Sequence, residues 1–458
     1  MGVAGLSVFS RLKFFGALHP LGAANMLSSI QGKTLDQLYA ILVHKLFPSG
    51  SFFSGGWGEI NVDWLTERSQ TVKWPPPEIK VNWKCIEKGT SQGAKYSILE
   101  GKFDSPCSSA VFGMLPQESR VGRVRLLAPE KPTETMACVL HLPGTGDHGF
   151  RRRLRLGYPL LKHGIASLIL EGPFYGARRP DFQRGSKLRR VSDLFTLGRA
   201  TIEESLSLLH WAEGKGFKPL GVSGLSMGGV HACMVASFYP GDLACCPILA
   251  PRSAAVAFCE GALQHGILDW GPLASSTDET NKNITDRLQR IAQVKESIAS
   301  LKDLDKGGPF AETPFFASDV SRDLRQLLNK QFLDGDHFYP DDLESGGGDV
   351  LRIHDAIQRY EAKRRLQEVL EAFTDVTLYP RPKRPDAAVF VAAQDDAFAS
   401  ADSIRAVHKY WQGSEIRYIS GGHVSAYVFR ANCFSQAIKD SFGRLMAANP
   451  GPHVMPKS

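Results

Sequence analysis

The sequence predicts an α/β fold in which a mostly parallel central sheet is covered by helices on both faces and interrupted by an inserted helical lid. Three observations predict it. From "GRVRLLAPE" onward, apolar runs of strand length alternate with longer helical patterns, which is the rhythm of crossover units in a parallel sheet. The glycine-flanked serine of "PLGVSGLSMGGVHACMVASF" sits where one such strand reverses into a helix. The alternation stops near Pro251 and resumes after Pro385, as it does when one core carries an insertion.

Taken in chain order, residues 1–100 read as an N-terminal extension packed on the core, because "FFSGGWG" and "KWPPPEIK" are rich in glycine, proline and aromatics without clear periodicity. Residues 101–250 hold the first part of the core. Its strands are "MACVLHLPG", "IASLILEGP", the start of "PLGVSGLS" and "LACCPILAP", with helices at about Val191–Glu213 and Val230–Phe238. Residues 251–385 contain the charged helical runs "DRLQRIAQVKESIASLKDLDK" and "DAIQRYEAKRRLQEVLEAF" around the flexible "LESGGGD"; they suit a lid, a surface insertion without gating function being the plainer alternative. Residues 386–458 complete the core with "DAAVFVAAQDDAF", a helix near Ser400–Trp411, the strand in "EIRYISGGH" and a closing helix from about Ala426 to Met446.

At 458 residues the chain can bury a large core. Its net charge of +7 is compatible with peripheral contact at an anionic membrane surface and too weak to imply nucleic acid. No run approaches the roughly 18 uninterrupted apolar residues of a spanning helix. The eight cysteines show no CxxC pair, and those in apolar stretches, such as Cys138, Cys233, Cys245 and Cys246, read as buried free thiols. The first acidic residue is Asp36, and Arg11 and Lys13 lie among serines and apolar residues before it. That composition fits a mitochondrial transit peptide, with a surface helix on a cytoplasmic protein as the alternative. Leu6 breaks the M-G-x-x-x-[ST] myristoylation pattern.

The chemistry starts at G-x-S-x-G. A serine on so sharp a strand-to-helix turn is strained, and Gly224 and Gly228 remove the side chains that would block it. Ser226 is therefore the candidate nucleophile, and it needs a base and a third group that orients the base. Both follow in the order this architecture uses. Asp396 stands after a late strand, with Asp395 as its rival. His423 follows the last strand and the pair Gly421–Gly422, ahead of the weaker His408 and His354. Donors for a developing oxyanion are expected from the Met227 amide and from "HLPGTGDHG", where Thr145 is the nominee and Gly144 the rival.

The arginine-rich segments "FRRRLRLGYPLLK" and "GARRPDFQRGSKLRR" are solvated faces by default. If they rim the site, Arg151, Arg152, Arg178 and Arg179 would hold a phosphate-bearing substrate. No cofactor is expected, since the G-x-x-x-x-G-K-[ST] pattern is absent. No metal is expected either: His141 and His148 lack ligand spacing, and "LDGDHFYPDD" does not fit a calcium loop.

The segments "HLPGTGDHGFRRR", "LILEGPFYGARRP", "VSDLF", "LHWAEGKGFKPLGVSGLSMGG" and "EIRYISGGHVSAY" together resemble the alpha/beta-hydrolase-domain-containing protein eighteen family, from about "FFSGGWG" to the final helix. The resemblance implies an alpha/beta-hydrolase fold with Ser226, Asp396 and His423 as a triad. It also implies a mitochondrial lipid deacylase with cardiolipin as a candidate substrate. The expected activity is that of a serine hydrolase of carboxylic esters. A non-catalytic scaffold and a peptidase are the alternatives on the same fold.

Overall fold

The structure, a computed structural model, describes residues 32, 34–39, 50–60, 74–130, 136–264, 267–275 and 347–447, the side chains of 347–357 excepted. The transit-peptide reading of the first residues, the run "DRLQRIAQVKESIASLKDLDK" and the stretch "LDGDHFYPDD" lie outside these.

A hairpin opens the sheet: β1 (Asn82–Ser91) and β2 (Ala94–Asp104) pair antiparallel. Gln92 and Gly93 join them with φ of 49° and 84°, both positive as a two-residue type I′ turn requires. Then follow α1 (Ser109–Met114), β3 (Val121–Pro129), β4 (Met136–Leu142), α2 (Arg151–Gly157), β5 (Ile165–Glu171) and α3 (Val191–Gly214). The nucleophile segment supplies β6 (Phe217–Leu225) and α4 (Met227–Phe238), followed by β7 (Leu243–Ile248), α5 (Trp270–Ala274) and α6 (Gly347–Thr374). The chain closes with β8 (Val389–Ala393), α7 (Ala401–Tyr410), β9 (Glu415–Ile419), α8 (His423–Phe429) and α9 (Ala431–Ala447).

These strands form one sheet in the order β1-β2-β3-β5-β4-β6-β7-β8-β9. The first three pairings are antiparallel and the rest parallel. Residues of β7 and β8 are buried without exception, and those of β5 likewise, which is why these strands read as continuous apolar runs rather than alternating ones. The pleat still sorts their side chains. Cys138, Leu140 and Leu142 meet Leu206 and Leu209 of α3 and Met234 of α4 on one face. Val139, between them, joins Leu156 of α2 and Phe434, Ile438 and Phe442 of α9 on the other.

Two expected boundaries move. Residues 82–104, assigned mainly to the extension, supply two strands of the central sheet. The rest of the described extension is knitted in as well: Phe52 bridges Leu268, and the buried Trp57 indole donates to the Leu273 carbonyl at 3.1 Å. The insertion is shorter than 251–385. The described residues at its two ends, 251–264, 267–275 and 363–385, belong to the main unit of the chain. Arg252 explains the difference, since its guanidinium binds Asp375 at 2.7 Å and Glu371 at 3.4 Å, and its carbonyl accepts from the Val376 amide. The closing helix is also two helices, α8 and α9, broken at Arg430. All eight cysteines are free thiols, and Cys138, Cys233, Cys245 and Cys246 are buried.

Candidate active site

Ser226, Asp396, His423 and the loop of Gly144 and Thr145 each follow the C-terminal end of a strand, where an open parallel sheet forms its crevice. Ser226 stands between β6 and α4 with φ 55° and ψ −121°, a conformation that costs an L-residue on the order of 1–3 kcal/mol. The surroundings enforce it. The Ser226 amide donates to the Ile248 carbonyl at 2.8 Å, and the Ser226 carbonyl accepts from Gly229 and Val230. Close approach dictates the glycines. A Cβ on Gly224 would collide with the Gly228 carbonyl, and one on Gly228 would lie 2.5 Å from the Leu142 oxygen. A third glycine that the motif does not require, Gly229, would press a Cβ to 2.5 Å from Ala250.

His423 opens α8, and its Nδ1 lies 2.7 Å from Oδ2 of the buried Asp396. The other oxygen of Asp396 accepts from the amides of Phe398 at 2.8 Å and Ala399 at 2.7 Å. The carboxylate is thus fixed by its own loop before it meets the imidazole. A proton on Nδ1 shared with Asp396 leaves the Nε2 lone pair as the basic position. Burial disfavours the charged ring, but Asp396, by charge and hydrogen bond, and Asp36, by charge, outweigh it and hold the His423 pKa above its ordinary value. Asp395 instead offers its amide to the Gly421 carbonyl at 3.0 Å. His408 bonds Ser414 at 2.9 Å, outside the residues that line the cavity, and the His354 side chain is outside the described set.

The loop after β4 folds into a turn in which the Asp147 amide donates to the Gly144 carbonyl and Gly146 takes φ 70°. It lies against the nucleophile segment: Thr145 Oγ1 is 3.6 Å from the Met227 sulfur, and a Cβ on Gly144 would sit 2.8 Å from the Leu225 oxygen. Met227 is the first residue of α4, so its amide has no acceptor within the helix. Ser226, His423, Met227, Thr145 and Gly144 all line one cavity of about 320 Å³. Leu194, Phe195, Val230, Met234, Phe238 and Phe373 supply much of its apolar wall.

The four arginines separate. Arg152 lines the cavity, half-buried, with its guanidinium carbon 5.9 Å from the centre of the Tyr427 ring. Arg151 and Arg179 are exposed and do not line it. Arg178 is a correction. Its side chain is 0% exposed, it binds both oxygens of the equally buried Glu204 at 2.6 and 2.8 Å, and it donates further to the Glu171 and Ser119 carbonyls. Those bonds tie α3 to the loops around β3 and β5, and full burial away from the cavity closes the side chain to a substrate.

Three residues here escaped sequence reasoning. Arg153, beside Arg152, forms a buried pair with Asp147 at 2.8 Å and donates to the Gly149 and Leu170 carbonyls, pinning the loop that holds Thr145. Its helical position next to the buried Leu154 was the available signal. Lys187 lines the cavity and donates to the Gly50 carbonyl, and burial lowers its pKa. Asp36 stands among the helical residues 34–39, and nothing in its own segment marks its partners.

Solved structures to which this chain is similar include Est1E from Butyrivibrio proteoclasticus with bound ferulic acid, at 13% identity and TM-score 0.39, covering 79% of this chain and 100% of that one. The rice cell wall degrading esterase LipA from Xanthomonas oryzae matches at 11% identity and TM-score 0.45, over 81% and 99% of the two chains. An acetyl xylan esterase from Paenibacillus sp. R4 matches at 10% identity and TM-score 0.40, over 85% and 97%. The family assignment comes from a different comparison, a family model matched over residues 50–444, which takes in the whole sheet and every residue lining the cavity except Tyr39. With that span matched, the chain belongs to the family described as alpha/beta hydrolase domain containing 18, and it is an alpha/beta hydrolase.

Proposed function

We propose that the protein is a serine hydrolase of carboxylic esters. The observation that carries the reading is that a strained serine and a histidine bound through Nδ1 to a buried carboxylate line the same largely apolar cavity. Ser226 Oγ attacks the ester carbonyl carbon while His423 Nε2 takes its proton. The negative oxygen of the tetrahedral adduct is met by the amides of Met227 and Thr145, with Gly144 the rival donor; losing one such donor costs about 3–4 kcal/mol of barrier lowering. As the adduct collapses, the alcohol leaves with the proton from His423. Water then repeats the sequence, giving up a proton to His423 and releasing the carboxylic acid and free Ser226. Asp396 stays ionised throughout and stabilises the imidazolium.

The finer reading is a lipid deacylase acting on an anionic phospholipid. Two features support it. Apolar walls suit an acyl chain, at about 0.8 kcal/mol per methylene withdrawn from water. Arg152 and Lys187 bring positive charge to the same cavity, and a guanidinium matches phosphate oxygens. Arg151 and Arg179, exposed and off the cavity, are left to orient the protein at an anionic membrane surface, and Arg178 has no part. The family resemblance makes cardiolipin the candidate substrate and the mitochondrion the site of action. The test compares release of fatty acid from cardiolipin-containing and phosphatidylcholine vesicles with hydrolysis of a neutral short-chain ester, for wild type and Arg152→Ala. The expected result is a loss on the anionic lipid alone. Equal losses on both would remove the phospholipid reading and leave the esterase one.

A further inference from the structure

We propose that Asp36 is a positioning residue of the hydrolytic site, one buried carboxylate that staples the loop carrying Asp396 to the start of the helix carrying His423. The proposal rests on the reading of His423 as the base. Asp36 is 0% exposed. Its Oδ2 accepts from the Ala397 amide at 3.0 Å and from the His423 amide at 2.7 Å, and its Oδ1 accepts from Val424 at 2.9 Å. The amides after Asp396 are therefore divided between two acids. Ala397 turns to Asp36, while Phe398 and Ala399 turn to Asp396. Neither the acid nor the base can drift without breaking a bond to the same group.

Close packing makes the staple specific. A Cβ on Gly422 would stand 2.5 Å from Asp36 Oδ2 and 2.6 Å from the Gly32 carbonyl oxygen, and one on Gly32 would stand 2.7 Å from the Gly421 carbonyl carbon. Gly422 has an ordinary φ of −94°, so what its position requires is room for Asp36 rather than a left-handed turn. Three amides converging on two oxygens suit the ionised carboxylate, although burial raises its pKa. In that form it adds a second negative charge beside the imidazole and, with Asp396, favours protonated His423. The residue lies before the span of the family match, which begins at residue 50. The working site therefore extends into the N-terminal segment.

The experiment uses the full chain, with active sites counted by a fluorophosphonate probe and turnover measured on a neutral short-chain ester. Asp36→Asn retains the size but presents an amide nitrogen to backbone donors and removes the charge. The expected result is kcat per labelled site lowered roughly ten- to a hundredfold, as misplacement of a reacting group allows, with KM little changed. The acid limb of kcat/KM should also move to lower pH, because His423 loses a neighbour that favours its protonated form. A variant that loses thermal stability alone, with kcat per labelled site and the acid limb as in wild type, overturns the proposal. If Asp36→Asn gives no folded protein, Asp36→Glu decides by the same kcat: a fall supports the staple and a wild-type value refutes it. Labelling of wild type that Ser226→Ala does not abolish would mean instead that the functional reading beneath the proposal had failed.

Discussion

Replacing Arg178 by alanine should unfold the protein far more readily while leaving its substrate preference unchanged. The substitution deletes two bonds to Glu204 and one each to the Glu171 and Ser119 carbonyls. It leaves the Glu204 carboxylate, also 0% exposed, accepting from the Ser105 hydroxyl at 2.6 Å. Removing one member of a buried ion pair costs about 3–5 kcal/mol, because the other charge stays buried without compensation. Replacing both members by apolar side chains of similar volume is often close to neutral, so Arg178→Met with Glu204→Leu should be far more stable than Arg178→Ala. Arg179→Ala, at the exposed neighbouring position, should stay within about 0.5 kcal/mol of wild type. Urea unfolding ranks the variants, and kcat per fluorophosphonate-labelled site on anionic phospholipid and neutral ester reads the preference. A wild-type unfolding midpoint together with a selective loss on phospholipid would refute the reasoning and restore Arg178 to the substrate.

Asp396→Asn should lower kcat by about four orders of magnitude through the wrong imidazole tautomer, with the fold intact by circular dichroism, while Asp395→Asn changes it little; the reverse ranking would contradict the hydrogen bond of His423 to Asp396. Because His423 must be neutral to accept a proton and its pKa is held above the ordinary 6.5, kcat/KM should fall with acidity through a pKa above about 6.5, and an acid limb below that would contradict the charge environment described. Met234→Trp narrows the apolar wall and should shift preference toward short acyl chains, by about fourfold in kcat/KM for each methylene no longer housed. An unchanged chain-length profile would place the acyl group elsewhere.

What could be read from the sequence was local. The elbow at Ser226 is written within five residues, since strand, glycines and helix stand side by side, and Asp396 and His423 each follow a strand that announces itself. The β1–β2 hairpin is local too, since Gln92–Gly93 is a two-residue turn between runs of strand length, but aperiodic stretches precede it and give the whole segment the look of an extension. Arg178 was not legible, because "GARRP" does not tell its inward neighbour from its outward one. The difference comes from Glu204, 26 residues further on. Asp36 was further out of reach, since its partners lie more than 360 residues away and are backbone amides, which have no sequence signature. The ends of the insertion are not legible for a similar reason, since Arg252 meets Asp375 only in three dimensions.

The central claim, that Ser226 is a nucleophile activated by His423, is tested most directly by intact-protein mass spectrometry after exposure to a fluorophosphonate. Wild type should gain one phosphonyl adduct, located on Ser226 by peptide mapping, and lose its esterase activity in step with labelling. Ser226→Ala should gain none and His423→Ala should label far more slowly. A folded wild-type protein that stays unlabelled, or an adduct on another residue, would contradict the account.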